Sequence, residues 1–335
     1  MRDRRTFLAT GLSALAAPAF AAPATDYAAV LAQAYGAPVT PDAVHARALS
    51  AVRAAQARAD VLLRGQGLKD GSVGERLRTL AKDPRWLYPD SDAGRDRAVA
   101  EMNARLAAFR PRLGEAFGGL PIAAAEVRRM SPADVAAGRG GYREAPRDGQ
   151  PGAYYINLKA ICERPAWSLS SVGFHEVIPG HLLQLPLQAA AAPPADRLKA
   201  AGAYFEAWAI YAEQLACDLG AYRGDPRGEI GYLQWRLFRL GRVIADIGLH
   251  AGAWTRERAI AELTGLQGQS IAFITIEADV DRMISTPGKY AAEALGALAI
   301  ADWRPRERAR WPAFHRAVLV EGPWPFGELE RRLRS

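Results

Sequence analysis

Two histidines and a glutamate crowd the stretch Phe174-His175-Glu176-Val177-Ile178-Pro179-Gly180-His181. Histidine nitrogen and carboxylate oxygen are zinc ligands, and a catalytic zinc site takes three of them and leaves one position for water or substrate. In the motif His-Glu-x-x-His the two rings lie one helical turn apart, and the glutamate after the first serves as base toward water. Here Pro179 holds the place of the second histidine, which arrives two residues later as His181. On an unbroken helix six residues turn about 600°, which leaves the rings roughly 120° apart around the axis. Proline has no N–H to return to the His175 carbonyl, and glycine tolerates unusual dihedrals. His175 and His181 can therefore share one ion only if Pro179-Gly180 forms a bulge or break that re-aims the second ring.

A third ligand is available downstream. Glu206 and Glu213 are seven apart, a turn of about 700°, so both carboxylates project from one helix face about 20° apart. Their neighbours Phe205, Trp208, Ile210, Tyr211 and Leu215 are apolar. Acids in such a run require a partner such as a cation, unless they form the exposed stripe of an amphipathic helix. Arg242, Asp246 and His250 follow at i, i+4 and i+8 on one helix. Arg242 and Asp246 also suit a plain helix ion pair. His250, near a helix end, is placed to donate to a substrate carbonyl oxygen. Tyr154, Tyr155 and Asn157 fall on a strand-like run before the first histidine. An edge strand there would line a cleft and pair with a peptide, or these residues simply finish a sheet. His45 has no ligand-spaced neighbour and reads as an ordinary helical residue.

These residues have to be held by helices. Three-four apolar spacing predicts helices over 41–65, 93–117, 194–220, 227–252, 255–265, 270–285 and 287–303, with two short ones after them. Only 122–130 and 152–158 read as strands, and the Gly- and Pro-rich segment between them reads as loop. The expected fold is mostly α, with a small antiparallel β-sheet beside the active-site helix. Residues 25–120 form an N-terminal helical region and 121–335 the catalytic region, the two together one structural unit.

Residues 1–24 carry Arg4-Arg5, an Ala-rich apolar stretch and Ala19-Phe20-Ala21, the layout of a twin-arginine signal peptide that directs the protein to the periplasm. That stretch is too short for a permanent span, so no membrane insertion is expected after its removal. The net charge is +7, but the arginines are scattered among acids with no basic tract, which argues against nucleic acid as a partner. Two cysteines, Cys162 and Cys217, suit buried free thiols better than a disulfide scaffold, although a single bridge is open to an exported protein.

The stretches FHEVIPGHLLQ, FEAWAIYAEQL, GRVIADIGLH, DVDRMISTPGK and FHRAVLVEGPWPFGEL, in this order between Arg128 and Leu333, resemble the domain-of-unknown-function 885 family (DUF885) of bacterial proteins. That family looks like a zincin-type metallopeptidase. The resemblance implies a zincin-like helical architecture and one zinc ion per chain, bound by His175, His181 and Glu206, with Glu176 as base. The gap from His181 to Glu206 is similar to that in helical oligopeptidases, which favours Glu206 as ligand and leaves Glu213 to hold a histidine ring. Asp246 joins it as a supporting residue. His250 and Tyr290 fall to oxyanion stabilisation, and Tyr154, Tyr155, Asn157, Arg242 and Arg282 to substrate binding. The chain departs from the family pattern where Lys289 replaces Gln, Glu293 replaces Tyr and Leu182 replaces His. Tyr290, one turn before the lost tyrosine, is its natural stand-in. The chain is also shorter than typical members, so a cleft wall is reduced or comes from the partner subunit of a homodimer.

The implied activity is zinc-dependent hydrolysis of a peptide or a small-molecule amide. Two alternatives remain open: a metal enzyme acting on a non-peptide amide, and an inactive metal- or peptide-binding periplasmic protein. Glu176 separates the last from the others, because a site without its base would bind but not hydrolyse.

Overall fold

The computed structural model describes residues 26–147, 149–271 and 274–335, so the twin-arginine segment lies outside the described residues. Its helices begin and end where local chemistry allows. Pro41–Gly65 starts behind Thr40, whose side chain accepts from the Ala43 N–H, and buries Val44, Ala48, Val52, Ala55, Ala59 and Leu63 on one stripe. That stripe packs against the Pro226–His250 helix, which is buried on most of its faces. Lys289–Trp303 packs on the same helix and, more extensively, on Gly202–Asp218. Close approach of the last two depends on Gly296. A Cβ there would lie 2.8 Å from the Ala207 Cβ and 2.2 Å from the Phe326 ring. One hydrophobic core runs through all of these helices, from Tyr27 to Leu329.

Three predicted helices differ in extent: two are interrupted and one is shorter. The 93–117 segment is helical over Asp92–Phe109 and again over Leu113–Phe117, with Pro111 in a tight turn between, because proline cannot continue the hydrogen-bond ladder. The 194–220 segment divides at Ala201 into Ala195–Ala200 and Gly202–Asp218. The third starts late, at Ile276, where Thr275 caps the Ala278 N–H. Cys162 and Cys217 are both free, and burial pushes the Cys217 thiol up to about 12. No helix among the described residues is long and apolar enough to cross a membrane.

The sheet differs from expectation. It has three strands, β1 (Ala125–Arg129), β2 (Tyr142–Glu144) and β3 (Gly152–Ile156), in the order β1-β3-β2. β1 pairs with β3 in parallel and β2 with β3 antiparallel, so the sheet is mixed rather than antiparallel. A parallel pair needs a long crossover. The segment read as loop supplies it, containing both the Pro132–Ala136 helix and β2. β3 is thus the central strand with both edges filled. Tyr154 and Tyr155 cannot pair with a peptide backbone as edge residues would, and Asn157 lies just beyond the strand.

The C-terminal Trp311–Val320 helix is locked to Gly202–Asp218 through His315. Its Nδ1 lies 2.8 Å from the Ala116 carbonyl and its Nε2 2.7 Å from the Tyr211 hydroxyl, with the ring fully buried. Tyr204 donates to the Val318 carbonyl nearby. Burial, aided by Arg304, pushes His315 down to about 4 against the pull of the Ala116 carbonyl. The folded state therefore binds this proton less readily than the unfolded chain. Stability from the neutral ring is complete above the ordinary pKa of 6.5 and is lost as the pH falls toward 4. The loss should reach roughly 3 kcal/mol at the lower limit. An NMR titration of the His315 ring should show a midpoint near 4, and a midpoint near 6.5 would contradict this account of its burial.

Candidate metal centre

The Leu169–Glu176 helix ends immediately after His175, and the His181–Ala190 helix begins with the second histidine. The chain is broken at the four residues between. Gly180 is obligatory here, because a Cβ would fall 1.8 Å from the His175 carbonyl oxygen and 2.5 Å from that of Phe174. The Gly180 carbonyl then accepts from the Leu183 and Gln184 N–H groups and starts the new helix. Trp208 fixes the break from outside, its indole donating to the Pro179 carbonyl at 3.0 Å. Since Trp208 shares a helix with Glu206 and Glu213, one helix both bends the chain and faces it with carboxylates.

The break brings His175, His181 and Glu206 together, with one ligand atom of each within 4.8 Å of the others. His175 Nε2 is 3.4 Å from one Glu206 oxygen and His181 Nε2 is 3.3 Å from the other. The rings stand perpendicular, their centroids 5.1 Å apart. Their far nitrogens are held: His175 Nδ1 lies 2.9 Å from Glu213 Oε1, and His181 Nδ1 lies 3.1 Å from Gln184 Oε1. Ser171 donates to the second Glu213 oxygen at 2.7 Å. His181 Nε2 is buried without a hydrogen-bond partner. Two imidazoles fixed through Nδ1, with both Nε2 atoms turned on one carboxylate, form a donor set that fits zinc.

Charge is concentrated here. Burial and Arg239 press His175 down, but Glu206 and Glu213 outweigh them and raise it to about 9. His181 is lowered, chiefly by burial. Burial opposes ionisation of Glu206, yet the two imidazoles that face its carboxylate carry it well below the usual carboxylate range. Glu293 is buried opposite, and burial with repulsion from Glu206 raises it to about 7.

A cavity of about 270 Å³ opens on this cluster. Glu176 lines it and pairs with Arg143 of β2 at 2.6 Å. Tyr154 and Tyr290 also line it, as do Arg242 and Arg282. The Arg242 guanidinium lies 4.4 Å from the Tyr290 ring centroid and holds both oxygens of Asp279, the Nε bond being 2.8 Å. The expected pair with Asp246 is not formed, because Asp279 from the Ile276–Ser285 helix offers a bidentate partner across the interface. Asp246 instead accepts from the Tyr27 hydroxyl at 3.1 Å and the Gly288 N–H at 3.0 Å, and burial raises it to about 6. It braces the turn before Lys289 and contacts neither site histidine.

Three residues assigned to the site from sequence stand apart from this cavity. His250 points its Nε2 at the Met283 carbonyl, 3.1 Å away, and stacks on Tyr27, so a substrate oxygen cannot reach it as the oxyanion role requires. The Tyr155 hydroxyl donates to Glu144 at 3.1 Å on the opposite sheet face. Asn157 donates to the Arg139 carbonyl at 2.8 Å and lines an adjoining hollow. Sequence reading missed Arg143, Arg239, Gln184 and the Glu293 carboxyl. Gln184, three residues after His181 on a helix, was open to discovery from its spacing. Arg143 was not, since nothing local distinguishes it from other loop arginines.

The chain belongs to the family of bacterial proteins of unknown function DUF885, whose model matches residues 1–333. Two solved structures share its fold. A protein described as a lipoprotein, from Colwellia psychrerythraea, is 32% identical with a TM-score of 0.83, over 94% of this chain and 56% of its own. A second, from Shewanella oneidensis and described as a lipoprotein of unknown function, is 19% identical with a TM-score of 0.71. That match covers 92% of this chain and 59% of the other. The chain thus spans less than two thirds of either structure. No curated protein matches it.

The donor set generates two tests. If the cluster binds a transition metal, His175→Ala should abolish that binding, and Glu213→Gln should weaken it by about 10- to 100-fold while leaving His175, His181 and Glu206 in place. Competition with a chelator, read by metal analysis, checks both. Because Glu206 and Glu213 hold a proton on metal-free His175 up to about pH 9, zinc uptake at pH 7 should release about one proton. Calorimetry in buffers of different ionisation enthalpy measures that release.

Proposed function

We propose that the protein is a zinc-dependent hydrolase of peptide or related amide bonds, with a zincin-like arrangement of its site helices. The observation that carries this reading is the orphaned His181 Nε2, buried beside Glu206 and His175 with Glu176 on the same cavity wall. When bound, zinc supplies Lewis-acid polarisation of a carbonyl and makes water acidic enough to lose a proton near neutral pH. His175, His181 and Glu206 would hold it.

The protein's own groups divide the remaining work. Glu176 takes a proton from water and delivers it to the leaving nitrogen. Arg143 orients the Glu176 carboxylate through a charge-assisted hydrogen bond. Glu213, anchored by Ser171, keeps the His175 ring in one orientation and its Nδ1 protonated. Tyr290, in the wall and stacked under Arg242, takes the oxyanion-stabilising role that His250 cannot reach. Tyr154, Arg242 and Arg282 shape the substrate side of the cavity.

Export to the periplasm accords with the paired arginines and apolar stretch at residues 4–21, and with the lipoprotein descriptions of both structural relatives. Glu176→Gln preserves shape and hydrogen bonding to Arg143 but cannot accept the proton. It should retain metal and fold and lose about 10²- to 10⁴-fold in hydrolysis of a mixed-peptide library read by mass spectrometry. Undiminished turnover in that variant would rule out Glu176 as the base.

A further inference from the structure

The arginines around the site are not equally occupied. Arg143 is held by Glu176, Arg242 by Asp279, and Arg239 lies 3.8 Å from Glu213. Arg164 and Arg282 differ: among the described residues, neither guanidinium has a hydrogen-bond acceptor or a carboxylate partner. Both belong to the wall of the metal-site cavity and also to the wall of the adjoining hollow, so they stand where the two spaces meet. Arg164 is no ordinary surface side chain. It follows the short turn Ile161–Glu163, is only partly exposed, and burial lowers its basicity despite the fields of Tyr154 and Glu163.

A guanidinium stays charged at any physiological pH, and one at a cavity wall with no acceptor from the protein keeps its N–H groups available to a ligand. A protein that maintains such a group at a cavity wall gains when an anion arrives with the missing acceptors. The planar fork of N–H groups matches a carboxylate in two parallel bonds. Arg164, Tyr154 and Glu176 line the same cavity, so the cation and the base face one space. A substrate anchored there by its carboxylate would present a nearby amide bond to the cluster.

Resting on the hydrolase reading, we infer that Arg164, assisted by Arg282, forms a carboxylate-recognition subsite and that the substrate is a short peptide carrying a free carboxylate. The form proposed is the C-terminal carboxylate, with cleavage close to that end. An acidic side chain offers the same chemistry, and the test separates the two.

The probes are an N-acetylated tripeptide of alanine as free acid, the same peptide as C-terminal amide, and an amidated version carrying aspartate at the last position. Each is titrated calorimetrically into zinc-loaded Glu176→Gln protein, so that binding is read without turnover. The free acid should bind about tenfold or more tightly than the plain amide, as expected for a charge-assisted contact. Arg164→Met should abolish that preference, and Arg282→Met, a change at an exposed position, should reduce it. Tight binding of the aspartyl amide would assign the carboxylate to a side chain and retain the subsite. Equal binding of all three probes, binding of none, or a preference that survives in both variants overturns the inference. Loss of the hydrolase reading looks different: wild-type protein would still prefer the free acid but cleave nothing. Should Arg164→Met fail to fold, Arg164→Lys supplies the reading, since a point charge without the fork should keep only part of the preference.

Discussion

A straight helix through residues 175–181 would turn His181 about 120° away from His175, and the carboxylate of Glu206 would then meet one ring instead of two. The bend at Pro179-Gly180 removes that misfit, and the rest of the site depends on it. Its geometry is held by contacts that act in one direction. Gly180 leaves room for the His175 carbonyl, and the Trp208 indole captures the carbonyl of Pro179. The tryptophan between the two glutamates is therefore part of the metal site, although it approaches no ligand atom in a way that would mark it as one.

The second organising feature is how much charge the bend collects in little space. Glu213 and Glu293 are buried, Glu206 is half-buried, and Glu176 lines the same cavity. Four buried or half-buried carboxyl groups repel one another unless cations intervene. The protein answers with two histidines, with Arg143 and Arg239 close at hand, and with a third arginine, Arg242, one layer out. Burial and repulsion from Glu206 raise Glu293 to about 7. Its helix also carries Lys289, which places a carboxyl and an ammonium group together on the cavity wall.

Much of this was legible in the sequence because the relevant spacings are local. The Pro41–Gly65 helix has the limits its caps and apolar stripe indicate, and the seven-residue separation of Glu206 and Glu213 put both on His175. What stayed hidden depends on contacts between distant segments. β2 is three residues long, too short for alternation to show, and its pairing with β3 carries Arg143 to Glu176. Arg242 had a plausible partner one turn away in Asp246, but Asp279 on another helix offered better geometry, and Asp246 turned to Tyr27. His250 followed Asp246 out of the site for the same reason: its ring packs on Tyr27 rather than facing the cavity. Periodicity assigns a residue to a helix face, and only the packing decides what lies across from that face.

The histidine lock on the C-terminal helix carries a consequence for the whole molecule. When both histidine ligands occupy one continuous helix, that helix's own hydrogen bonds keep them in register. Here the ligands sit on two helices, and Glu206 sits on a third whose position is set by Tyr204 and Tyr211 against Val318 and His315. If the cluster holds an ion, its occupancy and the docking of the last helices are one thermodynamic quantity seen from two ends. An ion that binds only the assembled arrangement strengthens the far interface by mass action, and loosening that interface lowers affinity for the ion without touching a donor atom. On the zinc-hydrolase reading, the remote C-terminal packing would set how long the cluster keeps an ion.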